Sequence, residues 1–369
     1  MWIRATTTLS EAAIGRNNNY NLIRMLAAVA VLFSHSFVLA TGSRNAEPLR
    51  LSLGITWGDM AVDAFFITSG LLVTASLLSR RRVIDFVWAR ALRIFPALWV
   101  MLLLTTLVLG AYFTAESSLD YLRAQRTWHY LVKNALLFRG IQDDLPGLFS
   151  SNPAPYAVNG SLWTLPIELS MYASLLVVWI LAQLAGIYRL TAFKTATLGI
   201  TLAAGGIYLF DGFYFQYENN WPRLYFMFFS GAVLYVFRDH IRLSREAFWL
   251  LSLALGLSAL ERTLFFFVFN ATSAYLLIYI AYGFEGHLRT YNKVGDYSYG
   301  TYIYAFPIQQ AVAAAIPGIS VFALLIISGS LTLTLAVASW HALESRALRL
   351  KGFCAEATRR WLRLSSTAS

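Results

Sequence analysis

The sequence predicts an all-α fold, a polytopic bundle of transmembrane helices. Of its 369 residues, 58% are hydrophobic and only 13% are charged, whereas a typical soluble domain has about 25% charged residues. The mean hydropathy is +0.57, and the apolar residues fall in long runs. Lys and Arg cluster in the short segments between these runs. Such a chain lacks the polar residues that would coat a soluble core.

Ten segments are candidates to cross the hydrocarbon core, which needs about 20 largely apolar residues per helix. They are 22–40, 57–78, 95–114, 161–182, 193–210, 222–237, 247–260, 263–284, 299–317 and 320–341. The seventh is short and the eighth follows almost at once, so we expect a tight hairpin there. No internal repeat divides the chain. We therefore expect one membrane domain over 22–345, between a cytoplasmic segment, 1–21, and a basic cytoplasmic tail, 346–369.

The basic residues predict the orientation. With the N-terminus in the cytoplasm, 20 Lys and Arg residues lie on the inner side and 8 on the outer side. This bias places both termini inside and requires an even number of spans. It also explains the net charge of +10 without nucleic-acid binding. The longest exposed loop, 115–160, faces out with aromatic residues such as Trp128 and Tyr156, and a loop of this length is typical of a lid or substrate shelf.

The first span contains Arg24 near its cytoplasmic end and His35 in its outer half. Ionisable residues inside a bilayer are costly, so each is a functional hypothesis. Eleven residues are three helical turns plus about 20°, so the two side chains share a face and lie about 16 Å apart along the axis. Two alternatives stay open. Arg24 is also placed where it would snorkel to the interface, and His35 would equally fit as a hydrogen-bonded interior histidine without chemistry.

Two carboxylates lie at a depth similar to that of His35. Asp63 in the second span and Glu168 in the fourth span are each about 10 Å below the outer surface, from the helical rise per residue. The pattern predicts an outer-half layer of three ionisable groups on separate helices, although sequence alone does not orient their faces. The alternatives are a partly solvated Asp63 and a structural ion pair between Glu168 and Arg223.

Arg90 and Arg93 lie one turn apart on the predicted cytoplasmic side. An (i, i+3) pair shares a helix face, and paired guanidinium groups suit phosphate oxygens. Ordinary topology-determining charge on an interfacial helix explains them equally well. The single cysteine, Cys354, excludes an intramolecular disulfide.

Five segments together resemble the acyltransferase family 3 membrane proteins, which O-acylate bacterial glycans. They are the first span from Arg24 to His35, Val62-Asp63-Ala64-Phe65-Phe66 through Ser69-Gly70, Arg90 to Arg93, Ser161-Leu162-Trp163 through Glu168, and Tyr297-Ser298-Tyr299-Gly300 through Phe306-Pro307. They occur in family order over roughly residues 18–345. One position departs from the pattern, because many members have a histidine where this chain has Ala305, which excludes a catalytic role there. Only about 28 residues follow the last predicted span, so we expect no appended periplasmic domain.

The resemblance implies an O-acetyltransferase in the bacterial inner membrane, with acetyl-CoA as donor and no metal. Its nucleotide phosphates would meet Arg90 and Arg93, and Arg24 would hold a phosphate or line the entry. His35 would act as general base on a glycan hydroxyl that arrives from the outer side, or would carry the acetyl group itself. Asp63 or Glu168 would orient the imidazole.

Substrate contacts and competing functions complete the hypothesis. Trp163 would stack on the acceptor sugar, and Asn159 would hydrogen-bond to it.

The competing functions are a proton-coupled transporter or flippase, with the same intramembrane groups as a proton relay, and a structural subunit of a glycan-export complex. The acceptor, the acyl group and the oligomeric state are not encoded in any pattern that we find.

Overall fold

A computed structural model describes residues 7–15, 17–80, 82–138, 140–155, 157–214 and 220–367. Four basic residues that were counted for the orientation lie outside these ranges, namely Arg4, Arg16, Arg81 and Arg139, as does the loop aromatic Tyr156. The described residues form helices joined by turns and two isolated β-bridges, with no named strand among them. The predicted all-α class is therefore confirmed for this part of the chain.

A helix matches each of the ten predicted segments. We number them in chain order: α1 (Tyr20–Thr41), α2 (Trp57–Arg80), α3 (Val83–Leu103), α4 (Thr164–Gln183), α5 (Arg189–Tyr214), α6 (Asn220–Val236), α7 (Arg245–Ser258), α8 (Arg262–Gly283), α9 (Ser298–Ala315) and α10 (Val321–Ser339). Among the described residues, seven stretches are long and apolar enough to cross a membrane, and they contain α1–α5, α8 and α10. The multi-pass character is thus established, while the count of ten and the orientation stay predictions.

Short polar residues mark where several helices begin. The Ser244 hydroxyl accepts a hydrogen bond from the Ala247 backbone N–H at 3.1 Å at the start of α7. The Glu261 carboxylate accepts two from backbone N–H groups of α8, including that of Leu264 at 2.6 Å. Such side-chain oxygens satisfy N–H groups that have no partner within the helix. Only three residues separate α7 from α8, which confirms the predicted hairpin.

Two helices contain π-helical turns. After α3, the segment Leu104–Leu109 is π-helical before the helix resumes at Gly110–Phe113, and α10 continues through the π-helical segment Trp340–Glu344. The first π segment faces Tyr121, whose hydroxyl donates to the Thr106 carbonyl at 2.8 Å. Inserted side chains of this kind are a common cause of π turns, which also concentrate at functional sites.

The chain divides into two compact units. The first comprises the described residues of Met1–Val31, Pro48–Ser76 and Ile167–Asp296. Its α2 and α6 touch through glycines, because a Cβ at Gly70 would lie 1.8 Å from the Phe228 carbonyl oxygen and one at Gly231 would lie 2.0 Å from that of Ile67. Small residues let helix backbones approach this closely in membrane bundles.

The second unit comprises the described residues of Leu32–Glu47, Leu77–Pro166 and Tyr297–Ser369. Helix α9 is buried along nearly its whole length and packs against α10. The predicted basic tail forms a further helix, α11 (Lys351–Thr367). It docks on α3, where Trp88 donates to the Thr358 hydroxyl at 2.9 Å and Arg359 pairs with Asp85 at 2.8 Å.

Candidate active site

His35 lies in the second unit, half-buried on α1, and its imidazole packs edge-on against the ring of Phe306 at 5.0 Å between centroids. Gln309, one turn further along α9, fixes this part of α1. Its amide donates to the Leu32 carbonyl at 2.9 Å and to the Ser36 hydroxyl at 2.8 Å. These contacts flank His35 on both sides along α1, so α9 determines where the imidazole sits.

The segment before α4 joins the same cluster from the other side of Phe306. A Cβ at Gly160 would lie 2.7 Å from the Phe306 ring, so only glycine leaves room for that ring. The Tyr302 hydroxyl shares a hydrogen bond with the Thr164 hydroxyl at 2.7 Å and donates to the Ser161 carbonyl at 2.9 Å. The first and last of the five recognised segments, together with the Ser161-Leu162-Trp163 segment, therefore pack around one aromatic ring.

The two residues predicted to contact sugar differ in exposure. Asn159 is 1% exposed, and its amide donates to the Ile303 carbonyl of α9 at 2.9 Å while its carbonyl accepts from the Ser161 N–H at 3.2 Å. These bonds hold the segment against α9. Trp163 is half-buried in the turn that leads into α4. Sugar binding by either side chain stays a prediction.

Arg93 lies at a second polar cluster of the same unit. Its guanidinium is 3.6 Å from the Glu344 carboxylate, and it lies over the rings of Tyr299 at 5.6 Å and Trp340 at 6.0 Å. Glu344 is 2% exposed and also accepts from the Ser339 hydroxyl at 2.9 Å. The π-helical turn at the end of α10 thus presents a buried carboxylate to Arg93, the second arginine of the recognised pair.

Arg24 lies in the first unit and forms an ion pair with Asp296 at 3.2 Å. Its guanidinium also lies over the Phe65 ring at 6.0 Å. The side chains of the two partners are 20% and 12% exposed, so Arg24 has a fixed partner within the fold. The continuous helix α1 carries both Arg24 and His35, as their spacing requires.

Asp63 is buried at 1% exposure, so the alternative of a partly solvated Asp63 was wrong. Its carboxylate accepts from the Arg223 guanidinium at 3.0 Å, and Arg223 also contacts Asp59, by its carboxylate at 3.4 Å and its backbone carbonyl at 2.9 Å. The alternative that paired Arg223 with Glu168 was therefore also wrong. Asp63 and Asp59 lie one turn apart on α2 and face the start of α6, which brings both to one guanidinium.

Glu168 accepts hydrogen bonds from two hydroxyl groups of the first unit. The donors are Tyr172, one turn further along α4, and Ser69 of α2 at 3.3 Å. Glu168 is only half-buried. Whether it or Asp63 orients the imidazole of His35 stays a prediction.

Comparison with known proteins assigns the family. The model of the acyltransferase 3 family, described as an acyltransferase domain, matches residues 17–342. The chain belongs to this family. The predicted resemblance is thus confirmed, and the matched range contains all the predicted site residues of this acyltransferase.

Two curated relatives cover nearly the whole acyltransferase. An O-acetyl transferase of Shigella phage Sf6 is 27% identical over 343 residues, which are 90% of this chain and 96% of that protein. Nodulation protein 10 of Rhizobium leguminosarum bv. viciae is 26% identical over 380 residues, 93% of this chain and 96% of that protein. No solved structure matches significantly. Family and relatives confirm the predicted enzyme and set aside the transporter and structural-subunit alternatives.

Three charged partners in the acyltransferase were missed by sequence reasoning. Asp296 directly precedes the recognised segment that begins at Tyr297, and its position near a span end was an available signal. Glu344 follows the last predicted span, where a carboxylate looks like ordinary interfacial charge. Asp59 lies one turn before Asp63, so the (i, i+4) spacing of two acids on an apolar helix indicated a shared cationic partner.

Proposed function

We propose that the acyltransferase is an O-acetyltransferase that moves the acetyl group of acetyl-CoA to a hydroxyl group of a glycan, with His35 as general base. The observation that carries this proposal is the position of His35, whose ring is fixed against Phe306 by α9 while the rest of its helix leads to Arg24. Family membership and the name of the Shigella phage relative support acetyl transfer.

In the proposed reaction, the imidazole of His35 removes the proton of the acceptor hydroxyl as its oxygen attacks the thioester carbonyl. A new C–O bond forms and the C–S bond breaks. The coenzyme A thiolate leaves and takes the proton from the imidazolium, which regenerates His35. No other reactant is needed.

Donor binding is proposed to involve the cluster around Arg93. A guanidinium over two aromatic rings is held in place while it keeps its positive charge, which favours a phosphate group. Arg90 lies one turn earlier on α3 and would contribute a second guanidinium. The acceptor would approach from the predicted outer side, in the inner membrane of a bacterium.

The test separates chemistry from donor binding in purified protein and in cells. His35→Ala should abolish acetylation of the surface glycan, measured by mass spectrometry, while acetyl-CoA affinity stays close to that of the unmodified enzyme. Arg93→Ala should instead raise the acetyl-CoA dissociation constant about tenfold or more, from the loss of a charge-assisted contact.

Arg349→Ala is the matched control, because Arg349 is an exposed arginine of the same predicted cytoplasmic side. It should alter neither quantity. Full acetylation by correctly inserted His35→Ala protein would remove the general-base assignment. Equal acetyl-CoA affinities for Arg93→Ala and Arg349→Ala would show that Arg93 does not bind the donor and has only a structural role beside Glu344.

A further inference from the structure

The first unit contains a cavity of about 220 Å³ that the proposed chemistry does not use. It lies where α2, α6 and α8 begin and α5 ends, which is the predicted outer side for all four helices. Its described lining consists of aromatic rings, two aliphatic side chains, two glycines and a small set of polar groups: Leu53, Gly54, Ile55, Asp59, Tyr208, Gly212, Phe213, Arg223, Arg262, Thr263, Phe265, Phe266, Phe269 and Asn270.

The charged groups of this cavity are largely paired with one another. The lining contains the guanidinium groups of Arg223 and Arg262 and the Asp59 carboxylate, and Asp63 lies behind Arg223. Asp59 also interacts with the charge of Arg50. An anionic ligand would approach the Asp59 carboxylate and a cationic ligand the two guanidinium groups, so a neutral ligand that donates and accepts hydrogen bonds fits this lining.

Asn270 supplies the second observation. It is 5% exposed, and its amide N–H donates to the Phe266 carbonyl at 2.7 Å. Its side-chain oxygen accepts no hydrogen bond from the described residues. A buried acceptor without a donor is unfavourable, so this oxygen calls for a hydroxyl or N–H group of an occupant of the cavity.

The remaining wall is aromatic and its shape depends on glycine. A Cβ at Gly212 would lie 2.6 Å from the Phe266 ring, and Tyr208 packs edge-on against the same ring at 5.3 Å. Gly54 has a φ of +72°, and a Cβ there would lie 2.4 Å from Nε of Arg262. Because Gly212 and Gly54 have no side chains, the Phe266 ring and the Arg262 guanidinium have room to lie at the cavity.

We propose that this cavity binds one neutral sugar residue of the acceptor glycan. The C–H faces of a sugar ring pack on aromatic rings, and its hydroxyl groups donate to Asp59 and Asn270 and accept from Arg262. A lipid tail would leave the side-chain oxygen of Asn270 without a hydrogen-bond donor. The assignment to the acceptor rests on the proposed function, whereas sugar binding by the cavity does not.

The test measures binding of uncharged methyl glycosides of hexoses and 6-deoxyhexoses to the full-length protein in nanodiscs by saturation-transfer NMR. Asn270→Leu should weaken binding of the preferred glycoside about tenfold, the loss expected for one hydrogen bond to a buried acceptor. Thr272→Val is the control, because Thr272 is also buried on α8 and donates to a carbonyl four residues earlier, but does not line the cavity. It should bind as the unmodified protein does.

Arg262→Gln provides a second variant that cannot disturb the core, since Arg262 is exposed, and it too should weaken binding. The proposal is overturned if no neutral glycoside binds, if bound phospholipid fills the cavity in place of sugar, or if Asn270→Leu and Arg262→Gln bind like Thr272→Val. If these variants transfer acetyl groups with an unchanged acceptor KM, the proposed function is supported and the acceptor site in this cavity is contradicted. If the protein binds glycosides but transfers no acetyl group, the sugar site is supported and the proposed function is contradicted.

Discussion

Arg223 shows what a single buried charge requires of its surroundings. Its side chain is 6% exposed, and the Asp63 side chain that it contacts is 1% exposed. Removing both charges from water costs several kcal/mol per ion, which their mutual attraction recovers only with good geometry and further hydrogen bonds. The Asp59 carbonyl and carboxylate supply those bonds. The centre is therefore sensitive to the loss of either partner.

We expect Asp63→Asn to lower the free energy of unfolding by about 3 kcal/mol, because it leaves a buried guanidinium without full compensation. The measurement is thermal unfolding in detergent, followed by tryptophan fluorescence. Asp85→Asn is the control, since Asp85 pairs with Arg359 where the side chains are 22% and 29% exposed, and such pairs contribute about 0–1 kcal/mol. Equal melting temperatures for the two variants would contradict the sensitivity argued here.

Sequence reasoning singled out several ionisable residues within the apolar runs but few of the charged groups that they contact. Arg24, His35 and Asp63 stand out because an ionisable residue inside an apolar run is costly whichever way its helix is rotated about its axis. Their partners depend on how neighbouring helices rotate about their axes, which hydropathy does not record. Asp296 is the clearest case, since it lies 272 residues from Arg24 in sequence.

At the scale of the helix, the contact between α2 and α6 explains a glycine within a recognised segment. Gly70 and Gly231 each face a backbone carbonyl of the opposite helix, and neither site has room for a methyl group. We expect Gly70→Ala to destabilise the protein by about 1–3 kcal/mol, because overpacking pushes the helices apart. The measurement is again thermal unfolding.

Gly206→Ala is the matched control for this prediction. Gly206 is also within a helix, but a Cβ there would meet no atom within 4 Å. Alanine is the better helix former by up to about 1 kcal/mol, so this variant should be neutral or more stable. Equal melting temperatures for Gly70→Ala and Gly206→Ala would show that the close approach of α2 and α6 does not stabilise the protein.

The helices themselves were predictable and their irregularities were not. Apolar run length located all ten segments because a bilayer leaves backbone groups no partner except within the helix. The π-helical turn after α3 receives the Tyr121 hydroxyl, a contact between segments that has no period in the sequence, and the turn after α10 has no sequence signal either. The long loop contains two helices, Ser118–Arg123 and Gln125–Leu136, that the sequence analysis did not predict. A cap was visible, because the Ser117 hydroxyl accepts from the Asp120 N–H at 3.1 Å.

At the scale of the whole molecule, the number of membrane crossings depends on α7. This helix has 14 residues, which span about 21 Å, against a hydrocarbon core of about 30 Å. Local thinning of the bilayer accommodates such a mismatch at a fraction of a kcal/mol per Å. The distribution of Lys and Arg predicts both termini inside and therefore an even number of crossings. We therefore expect α7 to cross.

The single cysteine makes this expectation directly testable, because Cys354→Ser yields a protein without thiols. In that background we place one cysteine before α7, as His240→Cys, or one after it, as Leu260→Cys, at positions that are both exposed. A membrane-impermeant maleimide applied to intact spheroplasts should label Leu260→Cys and reach His240→Cys only after permeabilisation. Glu116→Cys in the long outer loop is the control for outside labelling, and native Cys354 is the control for the inside. Labelling of both new cysteines from the same side would show that α7 does not cross. If α8 still crosses, the even count and the shared location of the termini would then fail.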